Sequence, residues 1–173
     1  MKILLERRTM NGLVSKAKKR DKAAFIQLIR QCESGMYKVS RSLLTNDEDA
    51  ADAMQETILI CWEKIETLKK NEYFKTWMTR ILINECYAIL REKKTLFLEE
   101  EIPESGVMEK AYENIEWIQM LQNMDEKYRT ILVLYYAEGF KVREIADILN
   151  LNVSSVKDRL VKARNVYKKM YEM

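Results

Sequence analysis

Only four glycines and one proline stand among 173 residues. Tight hairpins and strand-to-strand loops draw on Gly, Asn-Gly pairs and Pro, so a chain this poor in them does not read as a β architecture. Helices are the remaining way to satisfy the backbone. The composition agrees, with 33% charged residues available for solvated helix faces and 47% apolar residues for a core. The length suits one domain or two small ones. Histidine is absent, which removes Ser-His and Cys-His catalytic pairs and His-ligated metals. Cys32, Cys61 and Cys86 are separated by 29 and 25 residues and form no C-x-x-C clamp. They read as reduced, buried thiols of a reducing compartment. Ile3, Leu4 and Leu5 are too short an apolar run for a signal peptide, and Ile131 to Ala137 falls far below the ~20 residues that span a bilayer. A cytoplasmic protein without membrane insertion is expected.

The net charge of +3 hides a segregation. Residues 1–95 are net +6, residues 96–116 net −6 and residues 117–173 net +3. Basic, acidic, basic is the pattern of two lobes and a connector. The domains are expected at 1–95 and 112–173, with an acidic linker at 96–111. Glu99, Glu100 and Glu101 repel one another there, and Pro103 blocks a helix. So mild a net charge argues against a tight, free-standing, nonspecific DNA binder.

In the first lobe Phe25, Ile29, Met36 and Val39 follow helical spacing, with Ile26 and Leu28 beside them. Thr45-Asn46-Asp47 breaks that helix, and Asn46 or Asp47 caps the next. The second helix is expected to bury Ala50, Met54, Ile58, Cys61 or Trp62, and Ile65. Its other face shows Glu48, Asp52, Gln55, Glu56, Leu59 and Glu63. A solvated face and a docking surface for a basic partner helix, with Leu59 as its desolvated anchor, both fit that face. A loop, Leu68 to Glu72, precedes a third helix carrying Phe74, Trp77, Ile81, Asn84 and Arg91, in which Trp77 reads as core. Lys69, Lys70 and Asn71 beside aromatics suit an unpaired, stacked base, worth roughly 1–3 kcal/mol. On composition alone an ordinary charged helix connection is the favoured reading.

In the second lobe, helices are expected over Ile115 to Met124 and from Asp125 onward, the latter burying Tyr128, Ile131, Leu132 and Tyr135. Gly139 ends it. A helix from Val142 to Leu149 is followed by the turn Asn150-Leu151-Asn152, where Asn150 takes the left-handed position and Asn152 is an N-cap. The last helix buries Val153, Val156, Leu160, Ala163 and Tyr167 at steps of 3, 4, 3 and 4. A short helix, a tight turn and a basic second helix make a helix-turn-helix. Ser154, Ser155, Lys157 and Asp158 would reach base edges, and Arg159, Lys162 and Arg164 phosphates or further bases. A basic helical hairpin with no DNA role is the plainer reading.

These residues together resemble an extracytoplasmic-function (ECF) sigma factor, from about Ala23 to Lys169. Asp47-Glu48-Asp49-Ala50-Ala51-Asp52-Ala53-Met54-Gln55-Glu56 resembles the family's core-binding motif. Phe74-Lys75-Thr76-Trp77-Met78-Thr79-Arg80-Ile81, with Asn84 and Arg91, resembles its promoter-melting helix. Glu138-Gly139-Phe140 through Arg164 resembles its helix-turn-helix, most closely at Val156-Lys157-Asp158-Arg159-Leu160 and Ala163-Arg164. Two positions depart from the family pattern: Ala88 replaces an Asp four residues after Asn84, and Asn150 replaces the usual turn Gly.

The resemblance implies an all-α fold of two small helical domains, a sigma region-two bundle and a region-four helix-turn-helix domain, joined by a flexible linker. It implies that Asp52, Gln55, Glu56 and Leu59 meet core RNA polymerase. It implies that Lys69, Lys70, Asn71, Phe74, Trp77 and Asn84 engage the downstream promoter element, and that Ser154, Ser155, Lys157, Asp158, Arg159, Lys162 and Arg164 read the upstream one. Promoter DNA and an anti-sigma factor are the further implied partners. No cofactor, metal or bond chemistry is expected. The competing readings are an autonomous helix-turn-helix regulator that binds DNA as a dimer, a helical adaptor without DNA contact, and an enzyme. The eight cations and two anions before Ala23 have no assigned role.

Overall fold

The structure is a computed structural model and describes residues 2–96 and 115–171. The expected linker, 96–111, falls outside them except for Leu96, which is the last residue of a helix. Among the described residues every regular element is helical.

Four helices build the first lobe: α1 (Lys2–Lys18), α2 (Lys22–Leu43), α3 (Asp47–Lys64) and α4 (Phe74–Leu96). The turn between α1 and α2 places Arg20 at φ 66°, a left-handed conformation uncommon for its side chain. Its guanidinium holds the turn in place, ion-paired to Glu66 at 2.8 Å, donating to the Trp62 carbonyl at 2.7 Å and lying 5.3 Å from the Trp62 ring centre. Asp21 caps α2 by accepting from the Ala24 N–H, and Asn46 caps α3 by accepting from the Asp49 N–H. Along α2 the buried stripe is Leu28, Cys32, Met36, Val39 and Leu43, while Ile26 is exposed. On α3 the stripe is turned from its expected position. Ala50, Ala53, Thr57 and Cys61 are buried, and Met54, Ile58 and Trp62 only half-buried. Small residues face inward because α3 lies close along α4, and Thr57 meets its polar need internally by donating to the Ala53 carbonyl.

The second lobe contains α5 (Ile115–Met120), α6 (Glu126–Leu132), α7 (Val142–Leu149) and α8 (Val153–Tyr171). The last turn of α6 widens into a π-type segment over Val133–Ala137, and Gly139, at φ 67°, ends it. The segment after Asp125 buries Ile131 and Leu132 as expected, but Tyr128 and Tyr135 are half-buried and Arg129 takes an inside position.

The lobes touch. The α6 region lies on α2, α7 lies on α4, and one apolar core runs through both. Arg129, 6% exposed, donates to the Ser42 carbonyl at the end of α2 and to the Gln122 and Met124 carbonyls of its own lobe. Gln122 Nε2 donates to the Arg41 carbonyl at 3.1 Å. Glu138, buried between lobes, faces Lys75 Nζ at 3.2 Å and Lys38 Nζ at 3.8 Å. Gly35, in the middle of α2, makes room for it: a Cβ there would stand 2.3 Å from Glu138 Oε2. Glycine inside a helix costs about 0.5–1 kcal/mol relative to alanine, and this approach accounts for its presence.

Candidate nucleic-acid and partner interfaces

The face of α3 opposite its buried stripe carries Asp52, Gln55, Glu56 and Leu59, all exposed, at steps that stack them along one side of the helix. Leu59 is 57% exposed at the end of this acidic row. The acids of α3 divide into two groups. Asp47 pairs with Arg41 at 3.1 Å and Asp49 with Lys93, so the first turn is tied to α2 and α4. Asp52 and Glu56 form no ion pair among the described residues.

The second surface surrounds the connection from α3 to α4. Lys69 and Lys70 are exposed, and Lys70 Nζ lies 5.8 Å from the Tyr73 ring centre. Asn71 is held: its amide donates to Ser15 Oγ at 2.6 Å and to the Asn11 carbonyl at 3.3 Å, both on α1. Lys18 Nζ donates to the Leu68 carbonyl at 2.6 Å. Asn84 is exposed and Trp77 half-buried, with its ring 6.0 Å from that of Phe74. Phe74 itself is fully buried and offers no face to a base. That corrects its expected place among the contacts: it anchors the start of α4 beneath Trp77.

The third surface is the helix-turn-helix. Asn150 is left-handed (φ 53°, ψ 49°), and Asn152 Oδ1 accepts from the Ser155 N–H at 2.7 Å and from Ser154 Oγ at 2.8 Å. The capped start of α8 places Ser154, Lys157, Asp158 and Lys162 outward and leaves Ser155, Arg159 and Arg164 half-buried. Arg164 is immobilised: its Nε donates to the Tyr136 hydroxyl at 2.7 Å, and its guanidinium lies 5.5 and 5.7 Å from the Tyr135 and Tyr136 ring centres. Arg159 approaches α4. Burial and the Glu126 carboxylate push the Tyr87 phenol up to about 12, and the Arg159 charge acts against them. Val153 and Lys157 share a cleft of about 430 Å3 with Tyr73.

The site adds residues that sequence reasoning missed. Arg129 gave no local signal beyond a cation beside an apolar run. Glu138 and Gly35 are meaningful only as a pair more than 100 positions apart. The three cysteines are buried as expected, and burial raises their thiols to about 11 at Cys32 and about 12 at Cys61 and Cys86. No described helix is long and apolar enough to cross a membrane.

The described residues thus form an α-helical bundle with an exposed acidic face and a second lobe that carries a capped helix-turn-helix. Residues 28–95 match Sigma-70 region 2, and residues 115–165 match Sigma-70, region 4. RNA polymerase sigma factor SigV of Bacillus subtilis is 31% identical over 151 residues, covering 86% of this chain and 91% of the relative. ECF RNA polymerase sigma factor SigW of the same organism is 28% identical over 174 residues, covering 90% and 93%. Among solved structures, the sigma factor RpoE in complex with the anti-sigma factor NepR from Bartonella quintana superposes with TM-score 0.75 at 22% identity, over 86% of this chain and 97% of that one. CnrH in complex with the cytosolic domain of CnrY gives TM-score 0.69 at 23% identity, over 91% and 93%. The chain belongs to the ECF RNA polymerase sigma factors. As a member it serves as an alternative sigma factor that directs RNA polymerase in transcription initiation, and the autonomous-regulator reading is not favoured.

Proposed function

We propose that the chain divides the sigma-factor task among its three surfaces. The row Asp52, Gln55, Glu56 and Leu59 seats on a basic helical element of core RNA polymerase. Leu59 supplies the desolvated centre and the carboxylates a polar rim. Ser154, Ser155, Lys157, Asp158 and Arg159 read the upstream promoter element as duplex, and Lys162 adds phosphate contact. Arg164 holds the Tyr135–Tyr136 edge against α8 and reaches the backbone from there. Lys69, Lys70, Asn71, Trp77 and Asn84 capture an unpaired base of the downstream element, and this preference for open over paired DNA shifts the equilibrium toward strand separation. Sigma factors contribute binding rather than catalysis, and this chain is read in the same way, acting in the cytoplasm beside its polymerase. The relatives solved with CnrY and NepR support an anti-sigma partner here as well.

The observation that carries this reading is Leu59, 57% exposed in line with Asp52 and Glu56, which form no ion pair among the described residues. Pull-down with purified core polymerase tests it. Gln55→Ala with Leu59→Asp abolishes capture while circular dichroism stays helical; retained capture removes the docking face. Replacing Lys157 and Arg159 lowers transcription from the upstream element with capture intact. Loss of both in that variant points to misfolding.

A further inference from the structure

α1 lies wholly before the region-two match, and it is stitched to the connection between α3 and α4 at several points. Lys18 holds the Leu68 carbonyl, and Ser15 and the Asn11 carbonyl hold the Asn71 amide. Between the two runs lies an open basin of about 620 Å3, lined by Asn11, Gly12 and Ser15 on one side and Lys69, Lys70, Asn71 and Glu72 on the other. Gly12 is the second sign. It sits inside α1, is exposed, and a Cβ built on it meets no atom within 4 Å. Neither packing nor a left-handed backbone accounts for a glycine there, and its missing side chain leaves the basin wall bare.

We propose that α1 forms the second wall of the site for the unpaired base. In this arrangement Gly12 leaves room for the base, and Ser15 is a positioning residue that orients the Asn71 amide. The inference rests on the reading of the 68–72 connection as a base-capture loop and extends it to residues outside the family match. The chemistry suits a nucleobase: an amide whose two N–H groups are engaged by α1 and whose oxygen can accept at a fixed angle, hydroxyl and carbonyl groups beside it, and two ammonium groups for the flanking phosphates. An Asn side chain free to rotate would read a base edge weakly. One already fixed by Ser15 loses little freedom on binding.

The test uses holoenzyme made from the full chain and purified core polymerase. The probe is a fluorescein-labelled single-stranded oligonucleotide carrying the downstream element of a promoter that the wild-type holoenzyme selects from genomic fragments. It is used with all four bases at the captured position. Gly12→Leu fills the basin: the chain melts no lower than wild type and still binds polymerase, but single-strand binding and open-complex formation are lost. Ser15→Ala weakens binding roughly 3- to 10-fold, as expected for one hydrogen bond, and levels the preference among the four bases. Ser15→Thr restores both. Wild-type affinity and preference in Gly12→Leu and Ser15→Ala, with both lost in Asn71→Ala, overturn the role of α1 and leave the loop reading standing. Wild-type behaviour in Asn71→Ala as well overturns the loop reading and this inference with it.

Discussion

Arg129 is the side chain whose removal reaches furthest, because one guanidinium satisfies carbonyls of Ser42, Gln122 and Met124 in two lobes. Arg129→Ala removes two buried hydrogen bonds, to the Ser42 and Met124 carbonyls, and a part-buried one to Gln122, and a buried acceptor left unpaired costs about 1–3 kcal/mol. The expected outcome is a large fall in melting temperature by calorimetry, well beyond the effect of Lys127→Ala on the exposed ion pair to Asp125. The cysteines make a second prediction. Their folded thiols ionise near 11 to 12 against an ordinary value of 9.0, so folding favours the neutral form. That contribution is complete below pH 9 and is lost as pH rises through the folded values. Thermal melts therefore fall between pH 9 and about pH 12. At neutral pH the thiols react with iodoacetamide only after unfolding, since the thiolate is the nucleophile. Cysteine burial was legible in the sequence because thiols on apolar stripes are rarely exposed. Arg129 was not legible, since a charge is placed inside only by acceptors that converge from elsewhere in the chain.

At the scale of elements, the turn between α7 and α8 was readable residue by residue. Asn150 tolerates the left-handed position and Asn152 caps α8, and both signals are local. Asn150→Val puts a β-branched side chain at φ 53° and lowers stability by roughly 1–2 kcal/mol, whereas Asn150→Gly is neutral or stabilising. Asn152→Ala removes the cap at about 1 kcal/mol. Urea denaturation of the full-length variants checks all three. The register of α3 was less readable. Met54 and Ile58 are the larger apolar residues, yet Ala53 and Thr57 face inward because α4 approaches closely along that side. Hydropathy ranks residues by transfer energy, but closeness of approach selects by size, and periodicity alone does not separate the two. Phe74 shows the same limit, since an aromatic at the mouth of a loop reads alike as a stacking platform and as the plug beneath one.

For the whole molecule, the sequence announced two lobes through its charge blocks but gave no sign that they would rest on each other. That contact depends on pairs such as Gly35–Glu138 and Ser42–Arg129, which carry no periodic or compositional trace. Glu138→Lys sets a third cation against Lys38 and Lys75. The expected result in small-angle scattering is a larger radius of gyration than wild type, with helical content unchanged. An unchanged radius would mean that the apolar contacts hold the lobes without Glu138.

The buried seat of Glu138 also bears on how tightly a partner that needs the lobes apart would hold this chain. A partner that accepts only the separated form sees its affinity scaled by the fraction of chains in that form, so an open population of about one in a hundred weakens apparent binding about a hundredfold. A few contacts around one carboxylate would then act as a dial on that affinity, adjustable by mutation without altering any residue of the three proposed contact surfaces.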